Sequence, residues 1–240
     1  MRQILLSGLI LLLTIHVSTA QDLLAYKHNK EIPAIIEKPV LTALSHYSDL
    51  KETNIRFLFT HKLKNSIMVA RPTAGSIFKS PQKRTYNVLI NPAFKLDYEI
   101  GSIRQVPDSV LIGWIGHELG HIMDYERKSA WEIIGMGVSY WISRNYVRKA
   151  ERRADSFAVD HGMAAYLTLK KLFVLDHTGL PQAYKDKIQA LYLSPDDIGK
   201  LVADLEHEGA HENGETPADE AEVTQEAKAE MYEGYLPGNS

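Results

Sequence analysis

The sequence predicts an α+β fold: a predominantly helical domain with a small antiparallel sheet packed on one long helix near its middle. Three observations carry this expectation. Three short runs rich in β-branched and aromatic residues, "NIRFLFT" (54–60), "SIMVARP" (66–72) and "TYNVLIN" (85–91), lie close together between Lys/Asn-rich and Pro/Gly/Ser/Lys-rich turns. From Asp108 onward the apolar residues recur at helical spacing instead. A chain of 240 residues, 45% of them hydrophobic, has room for one sizeable core but not comfortably for two domains.

Taken in order, the chain opens on Arg2 and an apolar run from Ile4 to Ile15, followed by the small residues Ser18, Thr19 and Ala20. The run is too short to span a bilayer comfortably, so residues 1–20 read as an export signal cleaved before Gln21 rather than as an anchor. The protein is then expected to be exported, periplasmic or secreted. There are no cysteines, which excludes a lipid-modified cysteine after the cleavage site and disulfide support. Any metal ligands must be histidine or carboxylate. A net charge of −3 gives no basic excess for nucleic acid.

Residues 33–50 read as helix with a break at Pro39, because Val40, Leu41, Leu44 and Tyr47 keep helical spacing. After the three strands the expected helices are 108–126, 130–142, 144–161, 163–176, 182–192 and 195–207. Within 131–142, "WEIIGMGVSYWI" reads as a buried core helix, with a membrane-surface or substrate-binding flap as the alternative. The domain is drawn at 21–205. Residues 206–240 are acidic, nearly devoid of large aliphatics, and read as a solvated tail.

The pattern H-E-x-x-H occurs twice, as "HELGH" at His117 to His121 and "HEGAH" at His207 to His211. Two imidazoles four residues apart can share a metal only on a helix that continues past the second. The first motif meets that condition. Asp108 is a good N-cap, and Ile112, Ile115, Leu119 and Ile122 form one apolar stripe with the histidines on the opposite side. Gly113, Gly116 and Gly120 flank the histidines. Each costs about 1 kcal/mol in a helix, which close approach of another element would explain. The second motif follows a helix capped by Ser194, and Gly209 reads as its C-terminal stop, so HEGAH is expected to be coincidence in a polar tail.

A catalytic zinc needs a third protein ligand. Asp124 and Arg127 stand where the extended glycine–histidine continuation of the motif would need Gly and His, so that continuation is absent. Instead "KAERRADSFAVDHG" places Glu151 and Asp155 one turn apart, with Ala154, Ala158 and Gly162 near the same stripe. Glu151 is placed to reach the metal, and Asp155 to accept the Nδ1–H of a ligand histidine. The competing expectation is surface carboxylates pairing with Arg148, Lys149 or Arg152. His161 falls off the Glu151 direction and reads as a polar cap at the helix end.

HELGH followed by "ERRAD" resembles the gluzincin peptidases of the HtpX and CAAX-prenyl-protease type, with their soluble periplasmic relatives, over roughly 108–191. The resemblance implies a zincin-like domain binding one Zn2+ per chain, with His117, His121 and Glu151 as ligands. It implies Glu118 as general base and Asp155 as the partner of a ligand histidine. The family's later H-P-P-x-x-x-R-I-x-x-L motif is matched only loosely by "HTGLPQAYKDKIQAL": Lys187, Ile188 and Leu191 fit, but Pro181 stands at the histidine position, and His177 is the nearest histidine.

The function expected is hydrolysis of peptide bonds by a zinc-bound water, with Glu118 moving the proton. A peptide or protein substrate would add as an extended strand to a sheet edge, with TYNVLIN the expected edge. The alternatives are a zinc hydrolase of a non-peptide amide and a non-catalytic zincin scaffold serving as a binding or chaperone module.

Overall fold

The computed structural model describes residues 22–63, 66–95, 100–176 and 180–213. The expected signal, His177 and most of the expected tail lie outside them.

The fold is mostly helical, with a four-stranded sheet of β1 (Lys30–Glu31), β2 (Asn54–Phe59), β3 (Met68–Pro72) and β4 (Thr85–Ile90) in the order β1-β2-β4-β3. The sheet is mixed rather than antiparallel. β1 and β4 both run parallel to β2, and only β3 pairs antiparallel, against β4. Composition explains the arrangement. β4 alternates with Tyr86, Val88 and Ile90 completely buried and takes an interior place. β3 ends in Pro72, whose missing N–H is tolerated at an edge. A further antiparallel pair, β5 (Ala93–Lys95) with β6 (Ile100–Ser102), was not legible in the sequence.

Helix α1 (Glu37–Ser45) carries Pro39 in its first turn, where no N–H is required, so the break falls before Glu37, after a 3-10 turn at Ala34–Ile36. The later helices are α2 (Asp108–Glu126), α3 (Ala130–Ile142), α4 (Arg144–Asp160), α5 (Ala164–Asp176), α6 (Gln182–Leu191) and α7 (Pro195–Asn213). Pro107, not Asp108, is the N-cap of α2, and Asp108 stands in the first turn, where its charge favours the helix dipole.

α2 is the axis of the molecule. Every residue from Ser109 to Asp124 is buried, enclosed by α1, β3, α4 and α5. Its glycines mark where backbones close on it. A Cβ on Gly113 would collide with the Tyr166 carbonyl of α5, and one on Gly120 with the Ala154 carbonyl of α4. One on Gly116 would strike the Met163 side chain. The close approach expected beside the histidines is therefore made by two helices.

Two expectations are corrected here. The helix carrying HEGAH does not stop at Gly209; α7 runs on to Asn213. Glu206, Glu208, Ala210 and Glu212 are good helix formers and outweigh one glycine. α3 is not a core helix: only Ile133 and Met136 are buried.

Candidate metal centre

Helix spacing brings His117 and His121 one turn apart on α2, with ring centroids 4.8 Å apart and nearly perpendicular. The near-contact of Gly120 with Ala154 lets α4 approach closely enough for Glu151 to meet them. Its Oε2 lies 3.1 Å from His117 Nε2 and 3.4 Å from His121 Nε2. Among the described residues these three form a buried group whose ligand atoms lie within 4.8 Å of one another, and it can hold a metal ion. The surface-carboxylate alternative fails on burial, since Glu151 is 9% exposed and Asp155 0%. Arg152 pairs instead with Asp197, and Arg153 with Asp124.

Asp155 stands behind His117 with its Oδ1 2.7 Å from Nδ1. Its Oδ2 accepts the Leu193 N–H at 3.0 Å, while Lys170 and Lys171, both buried, approach at 3.6 and 3.5 Å. Burial opposes the Asp155 charge, but Lys170, His117 and Lys171 outweigh it and hold the carboxyl well below the usual range. A carboxylate partner requires that His117 Nδ1 carry the ring proton. His117 Nε2 and Glu151 Oε2 face each other within hydrogen-bond range, at 3.1 Å, so a metal ion held by both atoms would take the place of the proton between them.

His121 responds to the same field. Burial alone would lower its pKa, but Glu151, with Glu118 and Asp124, raises it to about 9. Burial likewise disfavours the Glu151 charge, yet His121 and the hydrogen bonds of both histidines hold its carboxyl well below the ordinary value. The centre is built to attract a cation. The donor set, two imidazoles and a carboxylate with no thiolate, suits zinc among other divalent ions.

Glu118 lines the cleft beside His117. Its Oε2 accepts the Ala70 N–H at 2.5 Å, tying it to β3. Among the described residues β3 pairs in the sheet with β4 alone, and on its other side the Ala70 carbonyl accepts from the Tyr125 hydroxyl at 3.5 Å. TYNVLIN, the expected docking edge, is the interior strand β4 and has no edge to offer.

The cleft beside His117 and Glu118 is lined by Ser66 and Met68 on one side and by Lys170, Lys171, Tyr184 and Tyr192 on the other. Burial first, then the charges of Glu118 and Glu151, push the Tyr184 hydroxyl pKa up. On α3, Tyr140 donates to Glu151 Oε1 at 3.5 Å. These tyrosines and the lysine pair were missed in the sequence. Only Tyr184 left a signal, one helical turn after the Pro181 that displaces a histidine.

His161 is the C-cap of α4, with its ring bonded to the Phe157 carbonyl and stacked on Tyr47, away from the trio as expected. His207 and His211 lie on the helical backbone of α7, and their side chains fall outside the description. No family model, curated protein or solved structure matches this chain.

Proposed function

We propose that the protein is an exported zinc-dependent endopeptidase of the gluzincin kind. The observation that carries the reading is the convergence of His117 Nε2, His121 Nε2 and Glu151 Oε2 in one buried group, with Asp155 holding the other His117 nitrogen. His117, His121 and Glu151 would hold the ion. Zinc bound there supplies Lewis acidity, acidifying a water and polarising a carbonyl.

The remaining work falls to side chains and backbone of the chain itself. Glu118 takes the proton of the attacking water and returns it to the leaving amine. Ala70 N–H orients its carboxylate. A peptide enters the cleft beside the start of β3, where Ser66, Ile67 and Met68 line it, and pairs there with main-chain groups that Glu118 and Tyr125 do not occupy. The Tyr184 hydroxyl, protonated at neutral pH and facing the cleft, donates to the oxygen that gains charge in the transition state, in the role that Pro181 cannot fill.

The test loads wild type and Glu118→Gln with zinc and offers each a denatured protein and a peptide library. Wild type should cleave internal peptide bonds. Glu118→Gln should bind zinc fully and lose activity by several orders of magnitude, because the base is not a ligand. Equal cleavage by both variants refutes the mechanism. A zinc-loaded wild type that cleaves nothing leaves the silent scaffold, and cleavage confined to non-peptide amides leaves the other hydrolase.

A further inference from the structure

α3 carries two apolar faces. Its inner face packs Ile133 and Met136 into the protein and sets Tyr140 against Glu151. Its outer face holds Trp131, Ile134, Val138, Trp141 and Ile142, which fall within about 100° of one another at helical spacing. Nothing in the described molecule covers them: Trp141 is 93% exposed, Ile142 79% and Trp131 74%. A Cβ at Gly135 or Gly137 would meet no atom within 4 Å. Phe78, 70% exposed and far away in sequence, joins the patch by setting its ring edge-on to Trp131 at 5.9 Å. Scattered apolar residues on a surface need no explanation, but a continuous stripe ending in a tryptophan at each end does.

Charge identifies the occupant. Residues 127–149 hold five basic side chains in a chain whose net charge is −3; Lys128 is paired with Asp124 and Arg127 lies over the Phe157 ring, while Arg144, Arg148 and Lys149 are exposed. The segment's single acid, Glu132, is engaged with Ser129 in the α3 capping box. A second copy of the chain would set two such basic margins against each other. An anionic bilayer answers both features, because tryptophan favours the boundary between headgroups and acyl chains and lysine and arginine favour anionic headgroups.

We infer that α3 is an interfacial anchor that lies in the surface of an anionic membrane, inserting Trp131, Ile134, Val138, Trp141 and Ile142 together with Phe78. No helix among the described residues is long and apolar enough to cross a membrane, so the helix lies on the bilayer rather than through it. Tyr140, on the inner face of the same helix, puts the docked surface next to the metal centre. The anchor stands on its own observations and holds whether or not the centre is a peptidase.

The experiment mixes the full chain with phosphatidylcholine vesicles with and without phosphatidylglycerol, some carrying brominated acyl chains, and reads tryptophan fluorescence. The expected result with phosphatidylglycerol is a blue shift and quenching by the brominated chains, weakened by salt. Trp114, the third tryptophan, is buried and supplies a constant background. Val138→Asp keeps both reporters and changes an exposed position, so partitioning should fall about tenfold or more with the circular dichroism unchanged. The inference is overturned if the wild-type tryptophans stay unquenched by brominated lipid, even where the chain sediments with vesicles. It is also overturned if light scattering shows a self-associated protein that Val138→Asp renders monomeric.

Discussion

Asp155 shows how much one buried side chain can be asked to do. It fixes the tautomer of His117, accepts the Leu193 N–H and is approached by two buried lysines. Asp155→Asn keeps the shape and an acceptor but removes the charge, so zinc affinity by chelator competition should fall roughly 10–100-fold. Lys170 and Lys171 then lose their common anion, and urea denaturation should show a loss of about 3 kcal/mol. Glu151→Gln should weaken zinc binding further than Asp155→Asn, since it removes a charge from the ligand set itself. If both variants hold zinc as tightly as wild type, the third ligand is not Glu151. Tyr184→Phe makes a separate test of the transition-state role. It should leave zinc binding and KM nearly unchanged and lower kcat about 10²-fold; an unchanged kcat removes the tyrosine from the mechanism.

At the level of elements, the contact between α2 and α4 sets the geometry of the centre, and glycine permits it. Replacing an interior helical glycine by alanine ordinarily stabilises by up to about 1 kcal/mol. At Gly120 the new methyl would meet the Ala154 carbonyl, a backbone atom that cannot step aside without moving α4. Gly120→Ala should therefore destabilise by about 1–3 kcal/mol and weaken zinc binding as Glu151 retreats from the histidines. Gly137→Ala, in the open on α3, is the matched control and should be neutral to stabilising. Urea midpoints of the two variants, measured side by side, decide the point. An unaffected Gly120→Ala would mean that the two helices can separate without cost.

For the whole molecule, a metal ion held at the centre would tie stability to its concentration, and the buried carboxylates tie it to pH. An ion bound to the folded chain raises the melting temperature with its concentration, and a chelator should reverse the rise. In the chelated protein, Glu151 and Asp155 are both held below the ordinary carboxylate range. Each therefore contributes stability that is fully present above about pH 4 and is lost as pH falls through the lower folded-state value. The urea midpoint of chelated wild type should decline through that acid range, and the decline should be shallower in Asp155→Asn. Equal slopes would mean that Asp155 is not the coupled group.

Local pattern was enough to place the long helices, the two histidines and Glu118 between them, because those depend on residues within a few turns of one another. The pairing of Glu151 with the histidines was also legible, since the glycines on α2 and the alanines on α4 announced a close contact before any fold was known. Sheet order was not legible. Whether β4 enters between β2 and β3 depends on which strand buries both its edges, and alternation within each strand is the same either way. Nor was the fate of α3: an apolar helix reads alike whether its second face meets a core or open solvent. The lysine pair at Asp155 and the tyrosines around the cleft come from α3, α5, α6 and the turn after α6, elements with no common spacing in the chain. Their meeting depends on helices closing around α2, which only the tertiary structure decides.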